Sequence, residues 1–212
     1  GCVGDLLETL RETGLDKNTL VIFTSDHGDM HGSQGFEKKQ KPWDESIRVP
    51  LLVHWPAGLK SGERDVVFSS EDFMPTILGL CGVKVPKTVE GIDYSRYMRG
   101  GKNPFDGAAL ISCVAPFGEW ETRNGGKEYR GIRTERYTYV RDLNGPWLLF
   151  DDEKDPLQLK NLVGVADGKK LQQKLDEQLQ RKLRDAHDDF LPGAVYVKKW
   201  GYLTNERGTV PY

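Results

Sequence analysis

The stretch that most limits what this chain can fold into is Thr19-Leu20-Val21-Ile22-Phe23-Thr24-Ser25-Asp26-His27-Gly28-Asp29. It opens as a short apolar run rich in β-branched and aromatic residues, which reads as a fully buried strand of a parallel sheet. It then turns abruptly polar, setting a carboxylate and an imidazole side by side where the strand ends. In open α/β sheets ligands gather at that end of the strands. Gly28 and Gly32 let the backbone leave the sheet sharply and approach a ligand closely. The plainer alternative is a strand followed by a polar turn, since Asp and Gly are ordinary turn residues.

The segment from Lys38 to Val53, Lys-Lys-Gln-Lys-Pro-Trp-Asp-Glu-Ser-Ile-Arg-Val-Pro-Leu-Leu-Val, joins a basic cluster to a second apolar run through an acidic-aromatic turn. Asp-His-Gly at a strand end, a Lys four residues before an aromatic-acidic pair, then Arg-Val-Pro-Leu-Leu, together resemble the type I sulfatases of the alkaline-phosphatase-like superfamily. The resemblance runs through most of the chain. It implies an α/β fold: part of a mixed or parallel sheet layered with helices (residues 1–105), then a small antiparallel sheet with a C-terminal helix (residues 106–212). It also implies hydrolysis of a sulfate ester, with a formylglycine nucleophile and a calcium ion.

In that family Asp26 matches a calcium-binding Asp, and hard carboxylate oxygen suits the ion. His27 takes the adjacent position as a metal ligand or catalytic neighbour. Lys39 takes the place of the lysine that contacts the substrate sulfate and the leaving oxygen, and so carries both a catalytic and a substrate-binding role. Lys38 and Lys41 are its rivals for that place, and a lysine run is usually a solvated face. The family's Cys-x-Pro-Ser-Arg nucleophile motif does not occur in these 212 residues. Asp26 and His27 also fall short of the six to eight oxygens that calcium takes. The expectation is therefore a C-terminal portion of a sulfatase, inactive by itself and completed by an N-terminal half. A phosphonate monoester hydrolase or phosphodiesterase of the same superfamily is the main alternative, and a non-catalytic binding module another. The resemblance implies a sulfated small molecule or sugar as substrate and a periplasmic or secreted location.

Composition agrees with a globular chain: 37% hydrophobic and 29% charged. A net charge of −2 offers no general attraction to nucleic acid or an anionic membrane. No apolar run approaches the ~20 residues of a transmembrane helix. Cys2, Cys81 and Cys113 form no metal pattern, and the apolar surroundings of the last two suggest core thiols.

Periodicity places the elements. Val3, Leu6, Leu7 and Leu10 mark one helix face, closed by Gly14. A second strand is expected over Val49–Trp55. Ser69-Ser70-Glu71-Asp72 caps a helix bearing Phe73, Met74, Ile77, Leu78 and Cys81, with Gly82 beyond it. Ala109–Val114, Tyr129–Thr134, Tyr137–Arg141 and Trp147–Phe150 read as antiparallel strands, with Asn144-Gly145-Pro146 as hairpin chemistry. Leu171, Leu175, Leu179 and Leu183 form a stripe that should lie across that sheet. The tail from Trp200 has no clear period. Among other polar residues, Asp29 and His31 read as loop structure and Glu45–Arg48 as a bracing ion pair. His54 reads as a buried histidine and His187 as a surface one. Arg130 and Arg133 read as exposed strand arginines with some chance of facing an anionic substrate.

Overall fold

The computed structural model describes residues 1–206, in which the elements follow in order α1 (Cys2–Glu12), β1 (Val21–Thr24), α2 (Asp44–Ile47), β2 (Leu51–His54), α3 (Phe73–Leu80), α4 (Ser95–Met98), β3 (Ala109–Cys113), β4 (Tyr129–Arg133), β5 (Tyr137–Asp142), β6 (Gly145–Asp151), α5 (Lys169–Asp185) and α6 (Gly193–Lys199). They form two units. One is built from residues 1–26 and 50–106, the other from residues 27–49 and the chain from Gly107 onward.

In the first unit β1 and β2 pair antiparallel, with Val21 opposite His54 and Thr24 opposite Leu51. This corrects the expectation of a buried parallel strand. A four-residue apolar run is compatible with either pairing, and only alternation tells them apart. Ile22, Leu51 and Val53 share one face and line a cleft with Phe73, Thr76, Ile77 and Leu80 of α3. Phe23 and Leu52 lie on the other face and stay 46% and 65% exposed. His54 has the parity of Leu52, so it too is exposed rather than buried.

The helix signals hold in both places. In α1 the chain closes over Gly14 at φ +70, with Leu15 N–H donating to Leu10 O. Ahead of α3, Ser69 and Asp72 form a reciprocal capping box, and the Asp72 carboxylate also accepts from Ile92 N–H at 2.7 Å. Cys81 ends that helix on the surface, not in the core, because it has turned away at the last residue before Gly82.

In the second unit four antiparallel strands follow the order β3-β4-β5-β6. Ile132, Tyr139 and Leu149 point to one face and are covered by Leu175, Leu179 and Leu183 of α5. Cys113, Tyr129, Val140, Leu148 and Phe150 point to the other. That second face is covered by the loop of residues 27–49, which contributes Met30, Trp43 and the partly buried Phe36, together with Trp120 and Trp147. An ion-pair network pins the end of the loop. Arg133 reaches Asp44 with Nε at 3.2 Å and Nη2 at 3.3 Å, and Asp152 with Nη1 at 2.8 Å. Gln158, wholly buried, accepts from Asp44 N–H and donates to Asp152.

Both strand arginines are thereby accounted for within the fold. Arg130 is 1% exposed, paired with Asp188 and donating to the carbonyls of Cys113 and Tyr129. Residue parity places it on the α5 face, and the chain leaving α5 brings the carboxylate to it. Arg48 pairs with Asp44 at 3.9 Å, four residues back along the helical turn, in place of the Glu45 partner expected from the sequence.

Candidate functional site

The loop from β1 begins with Ser25 and Asp26. Ser25 Oγ donates to Asp26 Oδ1 at 3.4 Å, and the Asp26 side chain is exposed. One peptide bond later His27 opens the second unit. Its Nδ1 lies 2.7 Å from Gly28 O. A carbonyl only accepts, so Nδ1 carries the proton and donates, which leaves Nε2 as the acceptor. Gly28 is required by space: a Cβ there would meet Glu45 O at 2.0 Å. Its N–H donates to Ser46 O at 2.8 Å, tying the start of the loop to α2 within the second unit.

Lys39 supplies the partner for that acceptor. Its Nζ stands 3.1 Å from His27 Nε2. The two residues are twelve apart in sequence, and the intervening loop is turned back on itself by Asp29. That carboxylate accepts from His31 N–H at 2.9 Å and Lys38 N–H at 3.1 Å. The same His31 hydrogen bond holds the Asp29 carboxyl below its ordinary pKa, with Lys38 N–H and the two neighbouring imidazoles adding to it against partial desolvation. Met30 N–H donates to Lys38 O at 2.9 Å, closing the turn.

The expected residues thus divide in two. His27 and Lys39 are brought into contact, while Asp26 ends the preceding unit next to them in sequence. Asp29 and His31 shape the loop, His187 is on the surface, and Arg130 and Arg133 belong to the internal ion pairs described above. Among the described residues no group of three or more His, Cys, Asp or Glu side chains is arranged to hold a metal ion. No helix among them is long and apolar enough to cross a membrane.

Sequence reading named Lys41 only as a rival to Lys39 and missed its burial. Placed among Lys38, Lys39 and Glu37 it looks like one more solvated charge, yet it is 2% exposed. The signal that could have found it is its setting: Lys41 precedes Pro42-Trp43, and Trp43 is a core residue.

A family model described as Sulfatase matches residues 1–83. An ulvan-active sulfatase of Formosa agariphila is 38% identical over 99% of this chain, which spans 42% of that protein. A solved structure of a protein with its substrate D-glucosamine-2-N,6-O-disulfate superposes with a TM-score of 0.76 at 29% identity, covering 88% of this chain and 38% of its own. A phosphonate monoester hydrolase of Agrobacterium radiobacter superposes with a TM-score of 0.74 at 30% identity, covering 87% of this chain and 38% of its own. The chain therefore spans about two-fifths of the length of these relatives.

Proposed function

This chain belongs to the sulfatase family, and from that premise we propose that, together with the portion its relatives carry beyond it, it hydrolyses a sulfate ester. The observation that carries the reading is the Lys39 ammonium held 3.1 Å from His27 Nε2 at the exit of β1. A fixed ammonium at that place suits the oxygens of a sulfate and the negative charge that builds on the leaving oxygen as the S–O bond breaks.

Asp26 and His27 are proposed as part of a calcium site. The donor chemistry fits a partial set: Asp26 brings two hard carboxylate oxygens, while His27, with Nδ1 on Gly28 O and Nε2 on the Lys39 ammonium, stands beside the ion and orients that lysine. The rest of the six to eight oxygens belongs to the other portion, as does the formylglycine nucleophile, since no Cys-x-Pro-Ser-Arg occurs here. Calcium, when bound, supplies positive charge for the sulfate oxygens. Asp26 and His27 hold and orient, and Lys39 binds the sulfate and stabilises the leaving oxygen.

The substrate class supported by the relatives is a sulfated sugar, and the periplasmic or secreted location is proposed on the family resemblance alone. In the whole protein Lys39→Ala is expected to lower turnover of a sulfate ester by about 10²–10³-fold, the scale of one lost oxyanion donor. Near-normal turnover by that variant removes Lys39 from the mechanism. The likeness to a phosphonate monoester hydrolase favours one second reading, since sulfuryl and phosphoryl groups are both tetrahedral anions. Parallel assays with 4-nitrophenyl sulfate and 4-nitrophenyl phenylphosphonate separate the two: a kcat/KM at least ~10-fold higher for sulfate supports the first, as a 1.4 kcal/mol preference.

A further inference from the structure

The backbone on both sides of Lys39 is gripped by a lysine that is sealed from solvent, a residue to which the sulfatase reading gives no part. Lys41 is 2% exposed. Its Nζ donates to Glu37 O at 2.7 Å and to Lys39 O at 2.9 Å. It also lies 4.0 Å from the Glu119 carboxylate and 5.1 Å above the Trp120 ring. A buried ammonium is tolerated only when its donors and its charge are met, and here all of its partners are fixed groups. Burial pushes its pKa down, with Glu119 opposing.

Glu119 holds the other side of the same residue, accepting from Lys39 N–H at 3.3 Å. Both peptide groups of Lys39 are therefore bound by two side chains that are themselves paired. The neighbours are held just as closely. Lys38 and Gln40 sit in the left-handed region at φ +61 and +74. Non-glycine residues stay there only when their surroundings over-determine them. Gln40 donates to Phe117 O at 2.9 Å and accepts from Phe117 N–H at 3.3 Å, and Tyr129 Oη donates to Gln40 O at 3.1 Å.

We propose that Lys41 and Glu119 are positioning residues, a clamp on the two peptide groups of Lys39 that fixes its ammonium against His27 Nε2 and acts on the reaction through Lys39. The kinetic consequence rests on the sulfatase reading, whereas the clamp itself can be read without turnover.

The test uses the whole protein as wild type, Lys41→Met, Glu119→Ala, Lys39→Ala and the double variant Lys39→Ala/Lys41→Met. With 4-nitrophenyl sulfate and glucosamine 6-sulfate as probes, Lys41→Met and Glu119→Ala are each expected to lower kcat about 10-fold, with KM moved less than ~3-fold, because a misplaced group costs rate more than binding. The double variant is expected to be no slower than Lys39→Ala alone. In parallel, brief acetylation with acetic anhydride followed by peptide mass spectrometry reads the reactivity of Lys39, expected to rise several-fold in both single variants. Unchanged Lys39 acetylation in both overturns the clamp whatever the activity. So does a double variant slower than Lys39→Ala by the full Lys41→Met factor. If neither probe is turned over by wild type while acetylation rises, the clamp stands and the sulfatase reading falls. If Lys41→Met does not fold, Glu119→Ala decides alone: its side chain is 24% exposed, and the two carbonyl bonds of Lys41 do not pass through it.

Discussion

Without the Asp188 carboxylate, the Arg130 guanidinium would be left buried among two carbonyls and the rings of Phe190 and Tyr196. Asp188→Ala is expected to destabilise the protein by about 3–5 kcal/mol in urea unfolding, the cost of a buried charge deprived of its partner. The same pair sets a pH dependence. Burial works to raise the Asp188 pKa, but hydrogen bonds from Arg130, Tyr196 and Phe190 N–H outweigh it and hold the carboxyl below its ordinary value. A depressed carboxyl contributes its stability in full above the unfolded value of about 3.9 and loses it as pH falls through the folded value. Asp188→Asn should therefore flatten the acid limb of the stability profile, measured by urea unfolding at a series of pH values below neutrality. At this scale the sequence was legible where chemistry marks a residue and opaque where burial does. Asp26 and His27 stand out as a carboxylate and an imidazole at a strand end, and Lys39 by the family resemblance. Lys41 and Arg130 look like surface charges until the partners that arrive from Glu119 and Asp188 are seen, 78 and 58 residues away in the numbering.

Helix α5 shows what an element needs in order to be read. Its leucine stripe recurs every fourth residue, and Leu175, Leu179 and Leu183 are 3%, 0% and 4% exposed. Leu179→Ala should cost about 2–5 kcal/mol in chemical denaturation, because a fully buried leucine leaves both lost contacts and a cavity. Leu6→Ala on α1 should cost under ~1 kcal/mol in this chain, since that side chain is 67% exposed. The four strands of the second sheet were readable from alternation and from the Asn144-Gly145 turn, and each begins or ends within about two residues of its expected limits. β1 and β2 were readable as strands but not as partners. Direction of pairing is a property of two segments, and neither one carries it alone.

For the molecule as a whole, the proposed cation site is incomplete in these 212 residues, so its behaviour should differ between the chain and the whole protein. Dialysis of the whole protein against a chelator is expected to abolish sulfate ester hydrolysis, with activity restored by added calcium. Isothermal titration of calcium into the 212-residue chain is expected to give no saturable binding below millimolar concentrations, because a carboxylate and an imidazole supply too few donors. Family resemblance supplied the roles proposed for Asp26, His27 and Lys39. It could not reveal that residues 27–49 pack with the later half, a grouping set by Met30, Phe36 and Trp43 meeting aromatic residues contributed after position 117.

That grouping has an inheritance consequence. The backbone passes from one unit to the other at residues 26–27, 49–50 and 106–107, so no single crossover point divides the gene into two modules. A chimera joined at 106–107 between two relatives would give the second sheet a foreign cover, with Trp43 and Asp44 from one parent facing Trp147 and Arg133 from the other. Residues 27–49 and the strands they roof must drift as one lineage, and recombinants should survive only when both come from the same ancestor.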